Sequence, residues 1–131
     1  MKRVLFDTNI LIPYLRNPEA FSGTLMSYDR VVLTPTVLGE FRAGITPTKQ
    51  GMENLRALDD FLLNPAVEEC PVTFQTSDYY ARIFQMLKRQ GTPIPTNDIW
   101  IAAVAMQIGC DLYTNDEHFS HIQGLTLINQ P

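Results

Sequence analysis

The sequence predicts an α/β fold: a mainly parallel central sheet with helices on both faces. Three observations lead there. Short β-prone apolar runs alternate with helix-patterned segments from end to end. The first run, Val4-Leu5-Phe6, has no polar alternation, as expected of a strand covered on both faces. Glycine or proline closes several of the helix-patterned segments, at Gly44, Pro47, Pro65, Gly91 and Gly109.

The elements follow in order. Val4-Leu5-Phe6 is the first strand and ends at Asp7-Thr8-Asn9. An apolar stretch runs from Ile10 to Leu15, suited either to helix core or to an exposed groove lined by Leu11, Ile12, Tyr14 and Leu15. Asn17-Pro18 reads as a cap with proline in the first turn, predicting a helix from about Pro18 to Tyr28. Arg30 to Thr34 is a second strand, stopped by Pro35. Thr36 can cap a helix carrying Val37, Leu38, Glu40 and Phe41. Met52, Leu55, Leu58 and Leu62 make residues 48–63 helical, and Asn64-Pro65 breaks that helix. Val67 to Val72 is a weaker strand. Thr76 or Ser77 starts a helix whose buried face is Tyr80, Ile83, Phe84 and Leu87, closed by Gly91. After a proline-rich loop, Thr96 or Asn97 caps a helix through Ile108, with Gly109 beyond it. Leu112 to Thr114 is a strand, Glu117 to His121 a helical turn, and Leu125 to Ile128 the last strand.

The 131 residues suit one domain, and 45% hydrophobic with 18% charged is a globular composition. A net charge of −4 argues against coating nucleic acid by bulk charge, though a local basic strip beside an acidic pocket stays open. Cys70 and Cys110 make no disulfide framework and are expected in apolar packing. No apolar run approaches the roughly 18–20 residues of a membrane span. The N-terminus is too soon charged for a signal peptide, so a cytoplasmic protein without membrane association is expected.

Ligands of parallel α/β sheets sit beyond the carboxyl ends of the strands. Four acids fall where such a site collects. Asp7 ends the first strand and Asp116 follows the strand at 112–114. Glu40 lies early in the helix after the second strand, and Asp98 lies in the first turn of its helix. Each has a plain structural reading: a turn or cap for Asp7 and Asp116, a dipole complement for Asp98, a surface pair with Arg42 for Glu40. As a set they would repel strongly unless a cation sat between them. Oxygen donors without paired histidine or cysteine suit Mg²⁺ or Mn²⁺ rather than zinc.

Other candidates are weaker. His118 and His121 lack the partners of a zinc site, and His118 reads as a rim residue. Lys88 and Arg89 are either a solvated helix end or phosphate contacts. Trp100 suits core or a dimer contact. No GxxxxGK[ST], GxGxxG or Gly-x-Ser-x-Gly motif is present, which disfavours glycine-loop nucleotide binding and serine hydrolysis. A haloacid-dehalogenase-type phosphatase needs an acid two residues after Asp7, where Asn9 stands. A phospho-acceptor receiver domain needs an acidic pair and a strand-end lysine, neither of which is evident.

Asp7-Thr8-Asn9-Ile10, Leu38-Gly39-Glu40-Phe41, Asn97-Asp98-Ile99-Trp100-Ile101-Ala102-Ala103 and Thr114-Asn115-Asp116-Glu117-His118-Phe119 together resemble the PIN-domain ribonucleases, and among them the VapC-type toxins of toxin–antitoxin pairs. The likeness covers nearly the whole chain, in the family's order. It implies one PIN-like nuclease domain over residues 1–131 and a Mg²⁺- or Mn²⁺-dependent endoribonuclease. It implies Asp7, Glu40, Asp98 and Asp116 as the catalytic, metal-holding quartet, with Thr8, Asn9, Asn97 and Thr114 in support. It also implies a homodimer, an RNA substrate and an inhibiting antitoxin. Lys88, Arg89 and Arg42 are candidate phosphate contacts. The segment from Gly44 to Val72 carries no matching motif. The alternative is a catalytically inactive PIN-like module that binds RNA or protein.

Overall fold

A computed structural model describes residues 1–129. The strands are β1 (Arg3–Phe6), β2 (Arg30–Leu33), β3 (Val67–Glu69), β4 (Asp111–Tyr113) and β5 (Leu127–Ile128). The helices are α1 (Thr8–Arg16), α2 (Ser22–Leu25), α3 (Pro35–Ala43), α4 (Lys49–Leu62), α5 (Phe74–Gln90) and α6 (Thr96–Ile108). Single 3₁₀ turns lie at Pro18–Phe21 and Glu117–His121.

The strands form one sheet in the order β3-β2-β1-β4-β5, and every pairing is parallel. Val4, Leu5 and Phe6 of the central strand are all fully buried. Successive strand residues point to opposite faces, so burial of all three means that both faces are covered. From β1 the chain first winds outward to β2 and β3, then returns to place β4 on the other side of β1. The order therefore reverses between β1 and β4, which opens a crevice at their carboxyl ends. Leu5 pairs with Leu112 and Phe6 with Tyr113, so these two ends are level.

Beneath the crevice, Phe6 packs edge-on against Tyr14 and Tyr113, and Phe61 closes the same cluster. Leu11 is fully buried, and Ile12, Tyr14 and Leu15 pack against the core. The apolar stretch after the first strand is thus built into the helix core, with Ile12, Tyr14 and Leu15 only partly buried. α6 is apolar nearly all round, with Ile99 and residues 101–105 buried, because it lies between the sheet and its neighbour helices.

Several boundaries differ from the sequence reading. The helix expected over 18–28 is a 3₁₀ turn and one short α turn, and Asn17 makes no side-chain cap. Thr34, not Thr36, caps α3: its Oγ1 accepts from the Val37 amide at 3.5 Å, and Pro35 takes the first helical position. Thr73, not Thr76 or Ser77, precedes α5, and Thr76 Oγ1 accepts from the Thr73 amide at 2.9 Å, the reciprocal bond of a capping box. Pro95 stands at the cap position of α6, so Thr96 and Asn97 are already helical. β3 ends at Glu69 rather than Val72 because its one neighbour, β2, ends at the paired Leu33. β4 is Asp111–Tyr113, one residue earlier than expected, and β5 starts at Leu127 rather than Leu125. Phe84 is 45% exposed, since the seam of α5 runs through Thr76, Ile83 and Leu87. Met52 is also exposed. Gly91 and Gly109 end their helices in the left-handed region, as their sequence positions predict.

Gly51 is required for a different reason. A Cβ there would lie 1.9 Å from the Thr46 carbonyl oxygen. Backbone on both sides has to move to admit it. Gly51→Ala is therefore expected to cost roughly 1–3 kcal/mol, the range for overpacking, seen as a lower melting temperature with the fold retained.

Candidate active site

The crevice between the ends of β1 and β4 receives one acid from each strand end and one from each of two helices. Asp7 follows β1 directly, and its amide still donates to the Tyr113 carbonyl at 2.9 Å. It caps α1, with Oδ1 accepting from the Thr8 amide at 2.7 Å. Its Oδ2 accepts from Thr114 Oγ1 at 2.7 Å. The carboxylate is only 5% exposed. The cap holds the Asp7 side chain at the crevice, so the cap reading and the candidate-site reading are compatible.

Thr114, itself fully buried, ties the two strand ends together. Besides donating to Asp7, its hydroxyl accepts from the Asp116 amide at 2.9 Å and, at 3.5 Å, from Asn9 Nδ2. Asn9 Oδ1 accepts from the Asn115 amide at 3.2 Å. Glu40 comes from α3 and is not a surface partner of Arg42. Its Oε1 accepts from Thr8 Oγ1 at 2.8 Å and its Oε2 from Asn97 Nδ2 at 3.4 Å. Asn97, in the first turn of α6, reaches Glu40 with its exposed side chain. Asp98, next in that first turn, is 14% exposed. Asp116 caps the 117–121 turn by accepting from the His118 amide at 2.9 Å. His118 Nδ1 then lies 3.2 Å from Asp116 Oδ1 and 3.7 Å from Asp98 Oδ2.

The four acids share one electrostatic environment. Burial raises the Asp98 carboxyl to about 6, and the charges of Asp7, Asp116 and Glu40 push the same way against a hydrogen bond from His118. Burial also raises Asp7, reinforced by Glu40 and Asp116 and opposed by the bonds from Thr114 and Thr8. Among the described residues no lysine or arginine pairs with any of the four. A converging, oxygen-rich and uncompensated set of carboxylates fits a hard divalent cation. Asp98, Asp116 and His118 each present a donor atom, all within 4.8 Å of one another. His118 was legible only as a rim residue; its approach to two acids depends on the turn that Asp116 caps.

These shifts carry a pH dependence. Without metal, folded Asp98 keeps its proton to about pH 6, whereas the unfolded chain releases it near 3.8. Between those values the folded state binds more protons, so stability falls as pH rises, by up to about 3 kcal/mol. Denaturant unfolding with chelator between pH 4.5 and 7 is expected to show this fall, flattened in Asp98→Asn. Identical slopes for parent and variant would contradict the electrostatic account.

The candidate phosphate contacts stand apart from this hydrogen-bonded set. Arg42, Lys88 and Arg89 are exposed. Lys88 lines an apolar cleft of about 310 Å³ with Phe84, Leu87, Pro93, Ile94 and Ile99. Trp100 is half-buried and packs on Tyr80, with ring centroids 4.3 Å apart. Cys110 is buried, and Cys70 is partly buried against the core. No helix among the described residues is long and apolar enough to cross a membrane.

The PIN domain family model matches residues 4–125. The chain is 30% identical over 126 residues to "Ribonuclease VapC1" of Haemophilus influenzae strain R2866, covering 92% of each protein. It is 27% identical over 131 residues to "Ribonuclease VapC4" of Mycobacterium tuberculosis, covering 98% of this chain and 97% of that one. Among solved structures, a chain of DNA-bound VapBC from Salmonella typhimurium superposes over all of both chains, with TM-score 0.85 and 25% identity. A chain of VapBC-1 from nontypeable Haemophilus influenzae gives TM-score 0.81 and 27% identity over 98% of both.

Proposed function

The chain belongs to the PIN-domain family, and from that premise we propose that it is a metal-dependent endoribonuclease acting as the toxin of a toxin–antitoxin pair. The observation that carries the reading is the convergence of Asp7, Glu40, Asp98 and Asp116 on one crevice with no lysine or arginine paired to them among the described residues. Its relatives are named ribonucleases, and the similar solved structures are of VapBC assemblies. By the same analogy the protein is cytoplasmic, forms a homodimer and is held inactive by an antitoxin.

Asp7 and Asp98 are the first-choice ligands for Mg²⁺ or Mn²⁺, with Asp116 completing the set. When bound, the ion supplies Lewis-acid stabilisation at the scissile phosphate and makes water more acidic. It also offsets the repulsion between an acidic crevice and a polyanion. Thr114 holds Asp7 in place, and Thr8 and Asn97 hold Glu40. The weaker of the two Glu40 bonds is at Oε2, which leaves that oxygen to orient a water and accept its proton in phosphodiester hydrolysis. No covalent nucleophile is required. Arg42, Lys88 and Arg89 are the cations proposed to contact the RNA backbone around the crevice.

The test is incubation of the purified protein with transfer, ribosomal and messenger RNA in Mn²⁺ or Mg²⁺. Internal cleavage that EDTA abolishes is expected. RNA binding without cleavage under all these conditions would instead favour an inactive binding module.

A further inference from the structure

Resting on that metal-dependent reading, we propose that His118 is a nitrogen ligand of the ion and biases this site toward Mn²⁺ over Mg²⁺. Four acids alone do not discriminate well between the two cations, because both accept carboxylate oxygen. An imidazole does. Mg²⁺ takes oxygen donors in near-ideal octahedral geometry. Mn²⁺ also prefers oxygen, but as a first-row transition ion it tolerates an imidazole nitrogen beside carboxylates better than Mg²⁺ does.

The placement of His118 follows from its neighbours. Asp116 caps the 117–121 turn through the His118 amide, which fixes the backbone beside that acid. The ring then folds back over the crevice and not outward. Nδ1 stands 3.2 Å from Asp116 Oδ1 and 3.7 Å from Asp98 Oδ2. Asp98, Asp116 and His118 each offer a donor atom, all within 4.8 Å of one another, so a modest adjustment would bring them onto one ion. Core packing does not account for the pose, since the imidazole is 53% exposed while Asp98 is 14% exposed. The ring lies on the solvent side of the more buried Asp98. The rival occupant of the same geometry is a proton shared between Nδ1 and the two carboxylates, with the ion bound by oxygen alone.

Electron spin-echo spectroscopy of the full chain loaded with Mn²⁺ distinguishes the two. ¹⁴N modulation from a directly bound nitrogen is expected in the parent and absent in His118→Gln. In parallel titrations, the ratio of Mn²⁺ to Mg²⁺ affinity is expected to fall about tenfold or more in the variant, through weaker Mn²⁺ binding. Bound Mn²⁺ without ¹⁴N modulation in the parent would overturn the assignment of His118 and leave the oxygen-ligated nuclease site standing. Failure of the parent to bind Mn²⁺ at all would overturn both.

Discussion

Asp98→Asn is expected to lower metal-dependent RNA cleavage by roughly two or more orders of magnitude while leaving the metal-free protein as stable as the parent, or more stable. The two effects have one cause. Asparagine keeps the size and shape of the side chain and its place in the first turn of α6. It removes the charge that Asp7, Asp116 and Glu40 oppose and that burial disfavours. The helix loses a favourable first-turn charge worth a few tenths to about 1 kcal/mol, and relief of repulsion offsets this. If Asp98 served the helix alone, the pattern would be reversed: lower stability with activity kept. Asp7→Asn is expected to lose cleavage in the same way, and its tests are the same unfolding curve and cleavage rate. Cleavage within about threefold of the parent in both variants would sink the site assignment, since that factor is under about 1 kcal/mol of barrier.

Mg²⁺ or Mn²⁺ is expected to raise the unfolding free energy by about 2.7 kcal/mol at a hundred times its dissociation constant. On the proposed reading the ion would bind the folded crevice, where four elements bring the acids together, and the unfolded chain has no comparable site. The effect should be visible as a melting temperature that climbs with metal concentration and falls back with EDTA. It should be largest near neutral pH, where the carboxylates are ionised and their repulsion is fully present. A melting temperature indifferent to millimolar Mg²⁺ and Mn²⁺ but raised by Zn²⁺ would show that the crevice is not the oxygen-rich site described.

The placement of the four acids was legible in the sequence because three of them mark element ends that local chemistry dictates. Asp7 follows a run too apolar to be anything but a covered strand, Asp116 sits in turn composition after another strand, and Asp98 follows a proline loop into a helix. Glu40 was legible by its distance from the second strand. Arg42 offered itself as the partner of Glu40 by proximity along the chain, whereas the actual partners come from residues 8 and 97. Local spacing could not supply them, because both bonds cross between elements.

The sequence by itself determined the alternation of strands and helices and the glycine ends at 91 and 109. These rest on periodicity, backbone conformation and capping, which act over a few residues. Only the tertiary structure decided the rest. The sheet order put β4 beside β1 and so made a crevice of two ends that lie far apart in sequence. The end of β2 set where β3 stops, because a strand continues only while a neighbour supplies hydrogen bonds. The packing of α5 chose Ile83 and Leu87 for the core and left Phe84 at the rim. The 3₁₀ turn after β4 brought His118 over Asp98, twenty residues earlier in the chain. Each of these outcomes depends on which elements become neighbours, and pattern along a chain does not carry that information.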